Sequence, residues 1–348
     1  MARTDDSGDG RVTGSAAIPA PRPSPSGYIH DALLYDSTDE LAAAAVPFLM
    51  DGLAAGDAAV IAASTRTAAV LTEAVDADPR VHVLADSGAY CARTPAAIVT
   101  FRRLAEERSA GSRRVRVVGE VDFGRTERDW LEWQRYEAVI NHALAAWPLW
   151  GLCVFDNQRL PEQVLESAIR THPNLVTPHW RGTNPLFGDP ARYLRSLPVP
   201  REPLEDTPPR YLDPDVSDYI GLRHAVAAEL ATLNAPRDLT EDFLLVVDEM
   251  TSNALRHGQP PVSLRLWISS DRLVCTINDS GRDWDDPFAG YGPAHGEDLS
   301  HGGMGLWLAR QLCDHVDIRR SDYGVSVRLT TDLRRGADGP LLRADSGA

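Results

Sequence analysis

Eight prolines fall between Thr183 and Pro214, at positions 185, 190, 198, 200, 203, 208, 209 and 214. Each fixes φ and removes a backbone donor, so neither a long helix nor a central strand can run through this stretch. The chain of 348 residues is therefore expected to form two domains joined by a semi-rigid linker. The expected division is a first domain at 27–182, the linker at 183–214 and a second domain at 215–334, followed by a polar tail at 335–348. Residues 1–26 are rich in Gly, Ser, Pro and charge and lack hydrophobic periodicity, which predicts a disordered leader.

Before the linker, short apolar runs at 32–35, 58–61, 81–84, 115–118 and 152–155 alternate with helix-length segments at 38–55, 94–108 and 127–147. Thr38 and Thr126 are the expected N-caps, and Gly56 the expected helix stop. This alternation predicts an α/β domain with a mostly parallel sheet and helices on both faces. After the linker the pattern changes. Helices at about 216–233 and 240–257 precede two period-two strands, one carrying Val262, Leu264, Leu266 and Ile268, the other Leu273, Cys275 and Ile277. A Gly/Asp/Pro-rich stretch at 279–302, a helix at 304–314 and strands at 315–320 and 324–330 complete an expected α+β sandwich, one mixed sheet with helices on one side.

The chain contains no lysine, so all 35 cationic side chains are arginine. A Walker A lysine, a Schiff base and the strand lysine of protein kinases are thereby excluded. The net charge of −15 argues against a direct nucleic-acid partner. No apolar run approaches the ~18 residues of a membrane span, and the polar N-terminus lacks a signal-peptide core. A cytoplasmic location without membrane attachment is expected. Cys91, Cys153, Cys275 and Cys313 are far apart with no CxxC, indicating neither a disulfide framework nor a zinc knuckle.

Three elements carry chemistry. In the helix at 240–257, Phe243, Val247, Met250 and Ala254 form a buried stripe, with Glu249, Asn253 and His257 on an adjoining face. A carboxylate there can deprotonate an attacking hydroxyl, and a carboxamide oxygen can ligate Mg²⁺ without adding charge. Glu and Asn on a helix are more often simply a solvated face. Asp279-Ser280-Gly281 ends a strand: the carboxylate can accept from an exocyclic amine, and the glycine lets the backbone approach a flat ring. Gly302-Gly303-Met304-Gly305-Leu306 opens a helix whose bared N–H groups and dipole favour an anion. This phosphate cradle requires no lysine.

Together, in this order, the three elements resemble the GHKL (histidine-kinase-type) ATPase family over 216–330. Glu249 to His257 is similar to its N box, Asp279-Ser280-Gly281 to its G1 box, and Gly303-Met304-Gly305-Leu306 to its G2 box. The short form ending Leu306-Trp307-Leu308-Ala309-Arg310-Gln311-Leu312-Cys313-Asp314 most resembles the anti-sigma-factor serine kinases. The resemblance implies a GHKL/Bergerat-type sandwich that binds ATP and Mg²⁺. It implies Glu249 as general base toward a partner serine, Asn253 as the Mg²⁺ ligand and Asp279 as the adenine contact. Gly281, Gly303 and Gly305 would shape the pocket, with 284–302 as its lid and His257, Met304 and Leu306 completing the nucleotide set. Where the family often has a second glycine after Gly281, this chain has Asp283. His224 is expected to be a surface or packing residue, because only one helix fits between Pro214 and the N box.

In the first domain, His30-Asp31-Ala32-Leu33-Leu34-Tyr35, Gly119-Glu120, Glu137 with Asn141, Phe155-Asp156 and His172-Pro173 resemble the MEDS sensory domain over 28–173. The resemblance implies recognition of a small molecule. The candidate sensor residues are His30, Glu120, Glu137, Cys153, Asp156 and His172, converging on a ligand or a metal or standing as structural polar groups. The resulting expectation is a bacterial regulator, an ATP-binding anti-sigma factor with serine kinase activity. Its expected partners are a sigma factor and an anti-anti-sigma (STAS-type) protein, with the sensor in control. The resembled kinases dimerise, so a homodimer is expected, and Val216, Ile220, Val226 and Leu230 of the first helix are its sequence support. The alternative is a non-catalytic switch in which ATP or a ligand gates partner binding, a reading that Asp283 favours.

Overall fold

The computed structural model describes residues 27–85, 93–109, 113–233, 235–282, 284–292 and 304–333. The leader, the tail, Cys91, Asp283, Gly302, Gly303 and the lid beyond residue 292 lie outside the described residues. The first domain runs β1 (Ile29–Tyr35), α1 (Thr38–Ala55), β2 (Ala58–Ala63), α2 (Thr65–Ala74), β3 (Val81–Ala85) and α3 (Thr94–Ser109). It continues with β4 (Val115–Gly119), α4 (Glu127–Ala143), β5 (Leu149–Asp156), α5 (Glu162–Thr171), β6 (Asn174–Thr177) and β7 (Trp180–Thr183). The sheet order is β3-β2-β4-β5-β1-β6-β7. All its pairings are parallel except the β6–β7 hairpin.

Side chains alternate across these strands and supply two cores. Leu33, Tyr35, Ile61 and Val154 pack with Leu41, Leu49 and Leu71 of α1 and α2. Ala32, Val60, Val117 and Cys153 pack with Ile98, Phe101, Tyr136, Val139 and Val164 of α3, α4 and α5. Helices thus cover both faces. Ser37, rather than Thr38, caps α1, its Oγ accepting from Glu40 N at 3.2 Å. Thr126 forms a reciprocal capping box with Asp129 at the start of α4. Gly56 stops α1 at φ +84°, where a side chain is disfavoured.

The proline-rich stretch is not the irregular linker expected. It holds α6 (Pro190–Ser196), a 3-10 turn at Pro203–Asp206 and β8 (Tyr211–Asp213). Pro190 and Pro203 occupy first-turn positions, where the missing N–H would lack an intrahelical acceptor anyway. The stretch is anchored to both domains. Tyr193 donates to Ser167 Oγ at 2.9 Å, while Glu202 pairs with Arg272 and Glu205 with Arg328.

The second domain continues with α7 (Tyr219–Leu230), α8 (Arg237–His257), β9 (Ser263–Ile268), β10 (Arg272–Asp279), α9 (Gly305–Leu312), β11 (His315–Ser321) and β12 (Gly324–Asp332). Its sheet order is β11-β12-β10-β9-β8. Every pairing is antiparallel, which corrects the expectation of a mixed sheet. Leu264, Leu273, Cys275, Ile277 and Leu329 face Val226, Phe243, Val247, Met250 and Ala309 of the helices. His224 is exposed on α7. Val216, Val226 and Leu230 belong to the domain's own core, leaving Ile220, 67% exposed, as the outward apolar residue of the four.

The two domains are in contact. Arg128 and Arg135 of α4 both reach Asp317 on the edge strand β11, at 2.5 and 3.6 Å. Arg328 pairs with the same carboxylate at 2.9 Å. Burial alone would raise the Asp317 carboxyl, but the three guanidinium groups outweigh it and hold the carboxyl below its ordinary value. Arg93, just before α3, donates to the Gln311 carbonyl and pairs with Asp314 at 3.0 Å.

Candidate functional site

A cavity of about 740 Å³ opens between α8, α9 and the second sheet, within the size range of small-molecule sites. Asn253, His257, Asp279, Gly281 and Leu306, five of the expected nucleotide residues, line it. The apolar stripe of α8 fixes their placement. Phe243, Val247 and Met250 are buried against the sheet, which turns Asn253 and His257 toward the cavity. Glu249 does not line the cavity but stands beside it. A Cβ built on Gly305, the first residue of α9, would lie 2.8 Å from Asn253 Nδ2 and 3.1 Å from Glu249 Oε2. The helix start therefore approaches the carboxylate and carboxamide as closely as backbone permits, and a side chain there would displace one of them. Met304 caps the helix without a side-chain hydrogen bond.

Asp279 ends β10, and backbone donors hold its carboxylate in place. Oδ1 accepts from Gly281 N at 2.7 Å and from Gln259 N at 3.3 Å. Among the described residues Oδ2 has no such backbone donor, which leaves it for an incoming one. A Cβ on Gly281 would fall 2.6 Å from Asp279 Oδ1, so the glycine is what lets this turn close. A half-buried carboxylate, a half-buried carboxamide and a helix N-terminus thus meet at one cavity, a donor set suited to a purine base, a divalent cation and a phosphate chain.

The opposite wall belongs to the first domain. Arg102 of α3 and Val139, His142 and Ala143 of α4 line the same cavity. His142 stacks on Phe288, ring centroids 4.3 Å apart at 14°. Tyr291 is 3% exposed, packs with the first domain's core and lies under the Arg310 guanidinium at 4.2 Å. Sequence reasoning missed this wall, since nothing in the spacing of Arg102 or His142 ties them to residues over a hundred positions away.

The six sensor candidates divide among three places. His30, Glu137, Cys153 and His172 converge in the first domain with each residue buried and their ligand atoms all within 4.8 Å of one another. His30 Nε2 is 3.2 Å from Glu137 Oε2 and 3.3 Å from Cys153 Sγ, and His172 Nε2 is 3.5 Å from Glu137 Oε2. Burial is the main cause of all the perturbed proton affinities here. It lowers His30 to about 4 and His172 to about 3, raises Glu137 to about 7 and pushes the Cys153 thiol well up. Glu120 lies elsewhere, where its Oε2 accepts from Ser64 N at 3.1 Å and Ser64 Oγ at 2.6 Å, bracing the turn between β2 and α2. Asp156 lines a separate crevice at the strand ends with Tyr35, Ser37, Thr67 and Arg159. Strand ends of this kind are where open α/β sheets bind ligands.

Residues 29–173 match the family described as "MEDS: MEthanogen/methylotroph, DcmR Sensory domain", and residues 212–331 match the "Histidine kinase-like ATPase domain". Among curated proteins, the serine-protein kinase RsbW of Bacillus licheniformis is 31% identical over 135 residues, covering 35% of this chain and 83% of that protein. The RsbW of Bacillus subtilis is 30% identical over 132 residues, covering 34% and 82%. Through its second domain, the chain belongs to the RsbW family. Among solved structures, the RsbU and RsbW domains of Rv1364c from Mycobacterium tuberculosis align with 18% identity and a TM-score of 0.27, over 36% of this chain and 33% of that one. The histidine kinase domain from Erythrobacter litoralis EL346 aligns with 21% identity and a TM-score of 0.24, over 35% and 64%. The RsbW-family domain here is thus preceded by a MEDS domain that walls the cavity described above.

Proposed function

We propose that this chain is an ATP-dependent protein serine kinase of a bacterial cytoplasm, acting as an anti-sigma factor on a sigma factor and an anti-anti-sigma (STAS-type) protein. The observation that carries the reading is the approach of Glu249 and Asn253 to Gly305, beside the cavity into which Asp279 is fixed by two backbone donors. The relatives bear the name serine-protein kinase, in keeping with this chemistry.

In this reading Asp279 accepts the adenine amine and Gly281 admits the ring. The α9 N-terminus presents its free N–H groups to the phosphates. Asn253 would hold Mg²⁺ by its amide oxygen, and the bound ion offsets phosphate charge. Glu249 takes the proton of the attacking serine hydroxyl as the new oxygen–phosphorus bond forms and the bond to the β-phosphate oxygen breaks. The MEDS domain controls the reaction through the shared wall of Arg102, Val139, His142 and Ala143, and its strand-end crevice receives a small molecule. The protein acts as a homodimer, with Ile220 of α7 exposed for pairing.

The test incubates the full chain with γ-labelled ATP, Mg²⁺ and candidate STAS-type proteins. Label should appear on a partner serine and vanish with Glu249→Gln, which should still bind ATP. Binding of both ATP and partner with no transfer by the wild type would overturn the kinase reading in favour of a non-catalytic switch, the alternative that Asp283 suggests.

A further inference from the structure

The cluster of His30, Glu137, Cys153 and His172 poses a hydrogen-bonding problem that the protein's own atoms do not solve. Asn141 uses its amide nitrogen on the Glu137 and Thr171 carbonyls at 3.0 and 2.9 Å, so its oxygen faces His30 Nδ1 at 3.2 Å. His30 must then carry its proton on Nδ1. His172 Nδ1 lies 2.7 Å from the Ala168 carbonyl, which can only accept, so His172 is likewise protonated there. Both Nε2 atoms therefore present lone pairs to the cluster, and His30 Nε2 meets only the weak thiol donor of Cys153 at 3.3 Å. Both Glu137 oxygens and His172 Nε2 are buried without a hydrogen-bond partner. Burying such acceptors unsatisfied costs about 1–3 kcal/mol each. A group that accepts four lone pairs at once would resolve every one of them.

We propose that these four side chains form a metal site that binds one zinc-class divalent ion per chain. The donor set is two imidazoles, one thiolate and one carboxylate, the borderline-soft combination that selects zinc over magnesium or calcium. Its two negative charges cancel the two of the cation, so the filled site is neutral and tolerates full burial. The geometry lies close to that of a bound ion. With metal–ligand bonds of about 2.0–2.3 Å, tetrahedral corners lie about 3.3–3.6 Å apart. Three of the six donor separations are 3.2, 3.3 and 3.5 Å and all six lie within 4.8 Å, so small side-chain shifts close the tetrahedron. The outer contacts are those of a metal centre too, since each histidine is oriented through Nδ1 by an oxygen acceptor. Four protein ligands from β1, α4, β5 and the end of α5 close the coordination sphere. The site therefore ties the sheet to two of its helices, and it stands independently of the kinase reading.

The experiment measures zinc by mass spectrometry in the purified, dialysed full chain, then replaces it with Co²⁺ and records the spectrum. One equivalent of zinc is expected, and the cobalt form should show tetrahedral visible bands with a sulfur-to-cobalt charge-transfer band. That band should disappear in Cys153→Ser and persist in Cys91→Ser. Asn141→Ser should weaken zinc binding about 10- to 100-fold by releasing His30. If Cys153→Ser fails to fold, X-ray absorption of the wild-type zinc protein still decides, with one sulfur and three nitrogen or oxygen neighbours expected. A folded wild type without bound metal and without uptake from a chelator would overturn the proposal. So would a charge-transfer band that survives Cys153→Ser, or a coordination shell with no sulfur or more than one.

Discussion

Asp279→Asn separates ligand recognition from local structure. The asparagine oxygen can still accept from Gly281 N and Gln259 N, which Oδ1 meets at 2.7 and 3.3 Å, so the turn should hold. The amide nitrogen then takes the place of Oδ2. An adenine amine arriving there meets a donor instead of a carboxylate oxygen. A hydrogen bond to a charged group contributes about 1.5–3 kcal/mol, which is about a 10- to 150-fold loss of ATP affinity. A guanine offers an acceptor at the same ring position, so affinity for GTP should fall less or rise. Calorimetry of the full chain with both nucleotides in Mg²⁺ measures the two numbers, and thermal unfolding verifies the fold. Equal ATP binding by wild type and variant refutes the assignment of Asp279 to the base. An equal loss for both nucleotides refutes it as well, because that outcome reports a damaged turn.

Asp317→Ala removes a buried carboxylate that three arginines share, and should cost about 3–5 kcal/mol in the second domain's denaturant unfolding. Because the folded-state value of Asp317 is lowered, its contribution is present above the unfolded carboxylate value of about 3.9 and is lost as pH falls through the folded one. The wild type should therefore lose more stability than Asp317→Ala on acidification through that window, which urea titrations at stepped pH would show. His142→Ala removes the stack on Phe288, worth about 0.5–1.5 kcal/mol, and should change ATP affinity by about two- to tenfold although the residue lies in the other domain.

Five of the seven strands of the first sheet, β1 to β5, were legible because burial on both faces demands continuous apolar runs such as Ala58-Ala59-Val60-Ile61, whereas the edge hairpin β6–β7 lacks buried residues and left no such signal. Helix α2 follows β2 after Ser64 alone and its apolar stripe is short, so nothing set it apart from a loop. Prolines at first-turn positions hid α6 and the 3-10 turn, since the same residue that forbids helix interiors favours helix starts. The grouping of Asn253, His257, Asp279, Gly281 and Leu306 around one cavity was legible because they sit on local motifs, each contained within one element or turn. His30 and Cys153, 123 positions apart, meet through the β1–β5 pairing, a partnership that no local pattern records. The same holds for Asp317, whose partners Arg128 and Arg135 come from the other domain.

Tyr291 gives the protein an order of assembly. It belongs to the second half of the chain, yet it is buried in the core cluster of the first domain. During synthesis the strands and helices of the MEDS domain emerge about a hundred residues before it. At about 5–20 residues per second, the nascent domain waits on the order of 5–20 seconds with the Tyr291 socket still open to water. Only when the 284–292 segment arrives can the socket close, and the same event brings Phe288 against His142. The cavity shared by the two domains is therefore a late product of biosynthesis, completed after both halves of the chain have left the ribosome.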